Sequence, residues 1–179
     1  MNIKSSLITA GAGALLLTSF AFAADQAGQH FLKESVQGNL AEVKVGNLAE
    51  QKGASQGVKD FGAMLVKDHA AANDKAQQAA AALGVTPPSQ PTAKQKAKYM
   101  ELSGLSSESF DEHFIKDMVK DHQEDIAKYE KEANSGSGPA ADYAKAILPD
   151  LRKHLEMAQR LEKEGRTASA SGMSNSTTK

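Results

Sequence analysis

The chain has 179 residues, with 21 basic and 22 acidic side chains, a formal net charge of −1 and no cysteine. Without a basic excess it is a poor candidate for binding nucleic acid, and without cysteine it has no disulfide, thiolate metal site or thiol nucleophile. Tryptophan is absent and aromatic residues make up 5%, which argues against a stacking platform for bases or sugars.

Residues 1–23 have the three parts of an export signal. Lys4 supplies a positive start, residues 7–22 are apolar or small, and Ala21 and Ala23 are the small residues that a signal peptidase reads. The apolar run is short for a hydrocarbon core of roughly 30 Å. We therefore predict a signal peptide cleaved after Ala23, a periplasmic location, and no membrane span after cleavage. Retention as an N-terminal anchor is the alternative.

Hydrophobic residues recur at helical spacing through the next part of the chain. The pattern predicts helix 1 over residues 25–51 and helix 2 over residues 55–83. Gly53 stops the first helix, and Ser55 is a suitable N-cap for the second. Three prolines follow and interrupt the pattern, and a short helix is predicted over residues 94–102.

The second half of the chain repeats this two-helix arrangement. Helix 3 is predicted from residue 106 or 107 to residue 133, and helix 4 over residues 140–163, with a breaker-rich segment between them. Pro149 lies inside the pattern of helix 4 and predicts a kink or a restart. Residues 165–179 are rich in Ser, Thr and Gly without periodicity, so we expect a disordered tail.

The lengths of the connections indicate the topology. Helices 1 and 2, and helices 3 and 4, are joined by short breaks typical of antiparallel hairpins. The link between helices 2 and 3 has some twenty residues, and an extended proline-rich segment gains about 3 Å per residue. It can therefore span a helix of about 43 Å. We predict an all-α, ferritin-like four-helix bundle over residues 24–164, with a long crossover between helices 2 and 3. An up-and-down bundle is the alternative.

Three of the five histidines lie on the apolar stripes of predicted helices. His69, His122 and His154 each lie near the midpoint of helix 2, 3 or 4. Reversing a helix leaves its midpoint at the same height, so the three imidazoles are expected in one layer of the core. His30 and His113 lie off these stripes and are expected to be solvated.

A layer of three imidazoles and a carboxylate is a suitable ligand set for one transition-metal ion, namely Zn, Fe, Cu or Mn. On helix 1, Asn39 and Glu42 lie at the matching height on the edge of the apolar stripe. The predicted metal site is Glu42, His69, His122 and His154. Supporting carboxylates are expected nearby, at Asp111, Asp125 and Asp150.

The alternative interpretation is structural. Histidines on apolar helix faces are commonly buried and hydrogen-bonded. These three could satisfy one another, Asp111 or Tyr129, directly or through a buried water. Asp68 and Asp121 precede two of the histidines, but adjacent helical residues face different directions. We therefore expect these two carboxylates to flank the core and to pair with lysines.

An ordered set of segments is similar to an exported bacterial family catalogued as domain of unknown function 4142. The segments lie between residues 29 and 161 and comprise Val58-Lys-Asp-Phe-Gly62, Met64-Leu-Val-Lys-Asp-His69, Phe110-Asp111, Asp121-His122, Leu148-Pro-Asp-Leu151 and His154-Leu155. The resemblance implies membership of the ferritin-like superfamily and hence a crossover bundle. It implies no activity, because none is established for the family.

The ferritin di-iron pattern itself is missing. That pattern needs Glu-x-x-His on two helices, whereas Val66, Val119 and Leu151 stand three residues before the histidines. A metal, if bound, is therefore expected to be a single ion.

The sequence favours an exported, non-catalytic envelope or stress-related module that acts through a protein partner. Mononuclear metal binding is the alternative. A hydrolase ranks third, because there is no Gly-x-Ser-x-Gly elbow and no glycine-rich phosphate loop.

Overall fold

The computed structural model describes the backbone of residues 14–135 and 138–175, and the side chains of residues 26–135 and 138–167. Across these residues the fold is entirely helical, as the sequence predicted. Four helices are long and one is short: α1 (Ala14–Lys52), α2 (Gln56–Ala82), α3 (Ala93–Ser103), α4 (Ser107–Ser135) and α5 (Pro139–Asn175). None of the helices in this part of the chain has the length and apolar character needed to cross a membrane.

The inner helix ends follow from capping residues. The hydroxyl of Ser55 accepts a hydrogen bond from the backbone N–H of Val58 at 3.3 Å, which starts α2. Gly84 has a φ of 67°, the left-handed conformation that commonly ends a helix. Thr92 and Gln95 form a reciprocal capping box at the start of α3. The bounds of α2, α3 and α4 therefore lie within two residues of the predicted ones.

The two outer helices are longer than the sequence pattern predicted. Helix α1 begins at Ala14, inside the predicted export signal, and residues 14–24 contain neither glycine nor proline to interrupt it. Helix α5 continues to Asn175, where an irregular tail was expected after residue 164, because no proline follows Pro149 to stop it. Helix α5 also runs through Pro149 without restarting. The first 13 residues of the predicted signal and the last four of the predicted tail lie outside the described residues.

The four long helices pack in two pairs, in contact along their lengths. Helix α1 packs on α2, α4 packs on α5, and the two pairs meet through α2 on α5 and α1 on α4. Helices α1 and α2 approach each other closely at Gly46 and Gly62. A Cβ atom at Gly62 would lie only 2.6 Å from the carbonyl oxygen of Gly46. The backbones can touch there because neither residue carries a side chain.

The link between α2 and α4 runs the length of the bundle. At one end, Gly28 of α1 lies beside Leu83, which follows α2, and beside Ala140 of α5. At the other end, Asp111 near the start of α4 accepts hydrogen bonds from the backbone N–H groups of Ala54 and Ser55, each at 2.9 Å. Since α2 ends at the first end and α4 begins at the second, these two helices are parallel. Helix α3 lies in this crossover and packs on α1 and α4.

Two hydrophobic clusters form the core, one on each side of the histidine layer. The first cluster is centred on Leu32 and Tyr143, and the second on Phe61 and Phe114. Along each of α2, α4 and α5, the buried histidine is the residue at which one cluster gives way to the other. The bundle therefore encloses a polar layer between two apolar halves.

Candidate metal centre

The structure brings His69, His122 and His154 together from three helices. All three are buried, with exposed fractions of 4%, 2% and 1%. Their ring centroids are 5.2 to 5.8 Å apart, and one ring nitrogen from each lies within 4.8 Å of the other two. His30 and His113 are exposed, as the sequence predicted.

The outer nitrogen of His122 is held by the backbone of its own helix. The Nδ1–H of His122 donates to the carbonyl oxygen of Met118 at 2.9 Å. In a neutral imidazole this leaves Nε2 with a lone pair and no hydrogen. That Nε2 atom lies 3.3 Å from Nδ1 of His154.

Helix α1 orients His69. The side-chain amide of Asn39 donates through Nδ2 to the hydroxyl of Tyr143 at 3.0 Å, so its oxygen faces His69. The Nδ1–H of His69 therefore donates to Oδ1 of Asn39 at 3.0 Å. The Nε2 atom of His69 is then a bare acceptor, buried and without a hydrogen-bond partner among the described residues. A buried acceptor left unpaired is costly unless a cation or a proton donor occupies the site.

The third imidazole is oriented by a carboxylate on α2. The Nε2–H of His154 donates to Oδ2 of Asp68 at 3.0 Å. When His154 is neutral, its Nδ1 carries a lone pair that points at the Nε2 lone pair of His122. Two facing lone pairs repel each other, and a cation between them converts that repulsion into two ligand bonds.

Burial keeps the three rings uncharged. Desolvation lowers the pKa of His69 well below its ordinary value, and the neighbouring imidazoles lower it further. Burial lowers the pKa of His122 to about 4. The pKa of His154 is also lowered by burial, although the hydrogen bond to Asp68 opposes the shift. Neutral imidazole is the form that binds a metal ion.

The distance between two of the inward nitrogens already suits a tetrahedral ion. Zinc–nitrogen bonds of about 2.0–2.1 Å at tetrahedral angles put two ligand nitrogens about 3.3 Å apart. The separation of His122 Nε2 and His154 Nδ1 is 3.3 Å. The outer nitrogens of all three rings are engaged by Asn39, Met118 and Asp68, which is the usual outer-sphere arrangement of metal-bound histidines.

Glu42, the fourth predicted ligand, does not join the histidines. The group of ligand atoms within 4.8 Å of one another contains only the three imidazoles, within the part of the chain that the structure describes. Glu42 instead lines a cavity of about 590 Å³ between α1, α3 and α4, together with His69, Asp121 and Asp125. Burial, and then the charge of Asp121, raise the pKa of Glu42 well above its ordinary value. Glu42 turns toward α4 because α4 is the neighbour of α1 on that side.

The carboxylates expected beside the histidines have different positions. Asp111 caps the N-terminus of α2 and does not contact an imidazole. Asp125 lies in the cavity and forms an ion pair with Lys128 at 3.1 Å. Asp150 is half-buried on α5 and influences His154 only through its charge.

The structural alternative named one contact that is observed, between His122 and His154, and other partners that are not. Tyr129 pairs with the hydroxyl of Tyr143 at 3.1 Å and does not reach a histidine. Asp68 was expected to pair with a lysine, but it accepts the hydrogen bond from His154, because α2 packs directly on α5. Asp121 lines the cavity and forms no lysine ion pair among the described residues.

The direct partner of His69, and the tyrosine that orients that partner, escaped sequence reasoning. Asn39 was placed at the edge of the apolar stripe, yet it is only 3% exposed, and its amide donates to the buried hydroxyl of Tyr143. A buried asparagine must satisfy both its amide and its carbonyl. Its position level with the histidine layer was the available signal that it would orient one of them.

The fold and the site define an all-helical bundle with a buried layer of three histidines. The chain belongs to the family described as Domain of unknown function (DUF4142), whose profile matches residues 17–161. Searches of the curated proteins and of the solved structures found no match to this chain.

Proposed function

We propose that this protein binds one transition-metal ion through Nε2 of His69, Nε2 of His122 and Nδ1 of His154. The observation that carries the proposal is the hydrogen-bond arrangement of the rings. Each outer nitrogen donates to a fixed acceptor, each inner nitrogen is left as a lone pair, and one nitrogen of each ring lies within 4.8 Å of the other two. The apolar clusters above and below lower the local dielectric constant, which strengthens the interaction with the ion.

The donor set selects the kind of ion. Three neutral imidazoles suit Zn²⁺, Cu²⁺ and Fe²⁺, whereas Mn²⁺ prefers oxygen ligands. Val66, Val119 and Leu151 stand where a di-iron site would need carboxylates, and no carboxylate joins the described cluster. We therefore propose a single ion, with Zn²⁺ or Cu²⁺ the best match.

Metal content and a pair of histidine variants on one helix test this proposal. We expect about one Zn²⁺ per chain by elemental analysis after loading and dialysis. His122→Gln should weaken Zn²⁺ affinity at least 100-fold in a chelator competition, because it removes one of three ligands. His113→Gln is the matched control, since His113 is exposed on the same helix α4, and its affinity should equal that of wild type. No stoichiometric metal in the wild-type protein, or equal affinities for both variants, would refute the proposal.

The proposal also includes a ferritin-like fold and export to the periplasm. The parallel α2 and α4, joined by a crossover of bundle length, support a ferritin-like bundle.

The signal pattern of residues 1–23 supports export to the periplasm with cleavage after Ala23. The core residues with described side chains begin at Phe31, so a mature chain starting at Ala24 retains them all. Intact mass of protein isolated from the envelope should correspond to residues 24–179, and a mass that includes residues 1–23 would contradict cleavage.

A second candidate is a non-catalytic envelope module that acts through a protein partner and uses its histidines only for stability. When His154 is protonated, its Nδ1–H donates to Nε2 of His122, and a continuous network from Asp68 through His154 and His122 to Met118 favours this candidate. This candidate predicts that His122→Gln lowers the free energy of unfolding of the metal-free protein, while added Zn²⁺ stabilises neither protein. Stabilisation of wild type alone by Zn²⁺ would exclude it.

A further inference from the structure

The cavity of about 590 Å³ between α1, α3 and α4 connects the histidine layer with the surface. Its lining includes the buried His69 and also the exposed side chains of Glu34 and Glu124. One continuous space therefore reaches from solvent to the ring whose Nε2 has no hydrogen-bond partner among the described residues.

Carboxylates dominate the interior of this cavity. Asp117, Asp121 and Asp125 follow one another at intervals of one helical turn on α4, and Glu42 faces them from α1. Lys98 pairs with Asp117 at 3.0 Å, and Lys128 pairs with Asp125 at 3.1 Å. The cavity thus contains more carboxylates than its lysines neutralise.

Glu42 and Asp121 have no ion-pair partner among the residues whose side chains the structure describes. The Oε2 atom of Glu42 is buried and accepts no hydrogen bond from these residues. Glu42 and His69, each with one buried atom that has no hydrogen-bond partner among the described residues, therefore line the same cavity. A divalent cation is the ligand class that satisfies both kinds of atom.

We propose that this acidic cavity is the entry route by which a divalent metal ion reaches the three histidines, with Asp121 as the carboxylate that attracts it and Glu42 as the inner carboxyl group that holds it in transit. The inference rests on the proposed metal binding at the histidine layer. In this route the carboxyl groups determine how fast the ion reaches the site, while the imidazoles determine its final coordination. Clefts lined by charge of one sign raise association rates by about 10- to 1,000-fold.

Stopped-flow mixing with Co²⁺ at pH 7.5 and low ionic strength tests this route. Co²⁺ is the probe, because its visible absorption reports on the geometry of its ligands. The double variant Glu42→Gln/Asp121→Asn keeps the shape of both side chains and leaves both lysine ion pairs intact. We expect its association rate to fall about 10-fold, with the final absorption spectrum unchanged, and the difference to shrink in 0.5 M salt.

Asp74→Asn is the control for the loss of a carboxylate outside the cavity, since Asp74 is exposed on α2 and does not line the cavity. Its association rate should stay within twofold of wild type. Lys98→Gln removes a positive charge from the cavity and should raise the rate two- to threefold.

The outcomes separate the two proposals. If wild type binds Co²⁺ and the double variant binds it at the wild-type rate, the entry route is wrong and the histidine site stands. An altered final spectrum in the double variant also overturns the route, because it makes the carboxylates ligands of the bound ion. If wild type binds no Co²⁺, the proposed metal site itself fails.

Discussion

At the scale of single residues, Asp68 is the clearest case of a group that acts through another. Its carboxylate accepts the Nε2–H of His154 and so keeps the Nδ1 lone pair directed inward. Loss of such a partner typically lowers metal affinity 10- to 100-fold.

We expect Asp68→Ala to weaken Zn²⁺ binding by about this factor. Asp68→Asn should restore part of the affinity, since an amide oxygen still accepts the hydrogen bond. The measurement is chelator competition, with Asp74→Ala as the exposed control on the same helix. Equal affinities for Asp68→Ala and Asp74→Ala would show that Asp68 does not orient the ring.

Asp121 and His122, which are neighbours on α4, make opposite contributions to the pH dependence of the stability of the metal-free protein. Burial lowers the pKa of His122 from 6.5 to about 4, so its contribution to stability is full above pH 6.5 and is lost as the pH falls toward 4. Burial and neighbouring carboxylates raise the pKa of Asp121 from 3.8 to about 6. The folded protein therefore binds a proton at Asp121 between pH 6 and 3.8, and the bound proton stabilises the fold as the pH falls.

Urea unfolding between pH 7.5 and 4.5 should resolve these two effects. His122→Gln should lose less stability than wild type as the pH falls, by roughly 2–3 kcal/mol over this range. Asp121→Asn should lose more stability than wild type. Stability profiles parallel to wild type for both variants would contradict the assignment of these pKa shifts to burial.

At the scale of helices, the contact of α1 with α2 depends on two glycines. A Cβ atom at Gly46 would lie 2.8 Å from the carbonyl oxygen of Gly62, and a Cβ at Gly62 would lie 2.8 Å from Cβ of Ala49. Backbone atoms cannot move aside as a flexible side chain can. Alanine at either position must separate the helices or strain them.

We expect Gly62→Ala to lower the free energy of unfolding by about 1–3 kcal/mol. Gly38→Ala is the control on α1, where an added Cβ meets nothing within 4 Å. It should be neutral or stabilise the protein by about 0.5–1 kcal/mol, because alanine favours the helix. Urea midpoints measure both, and equal effects would show that close backbone approach is not what Gly62 provides.

At the scale of the whole molecule, the histidine layer divides the core into two apolar clusters. An ion bound there joins α2, α4 and α5 at the level where apolar packing is interrupted. Binding to the folded state alone adds about 2.7 kcal/mol at a free metal concentration of about 100 times Kd. For a chain of this size that corresponds to a rise in Tm of roughly 5–10 °C.

Calorimetry with Zn²⁺ should show this rise, and EDTA should reverse it. Mg²⁺ should leave Tm unchanged, because three imidazoles are poor ligands for it. His154→Gln should abolish the response to Zn²⁺. An equal rise with Mg²⁺, or a response retained by His154→Gln, would assign the stabilisation to the carboxylates and not to the histidine layer.

The sequence by itself determined the helical class, the inner helix ends and the layer of three histidines. These features depend on the helical repeat and on local capping, both of which act within one helix. His69, His122 and His154 lie on apolar stripes near the helix midpoints, so any bundle of these helices brings them to one level. The outer ends of α1 and α5 were less determined, since no proline stands where the pattern fades.

Only the tertiary structure decided what surrounds each histidine. The helical repeat fixes the direction of a side chain relative to its own axis, but not which helix lies in that direction. Asp68 reaches His154 because α2 packs on α5, and Glu42 faces Asp121 because α1 packs on α4. The layer itself could be predicted from the sequence. The hydrogen-bond partners that decide which nitrogen of each ring keeps its lone pair could not, because they depend on the order of the helices around the bundle.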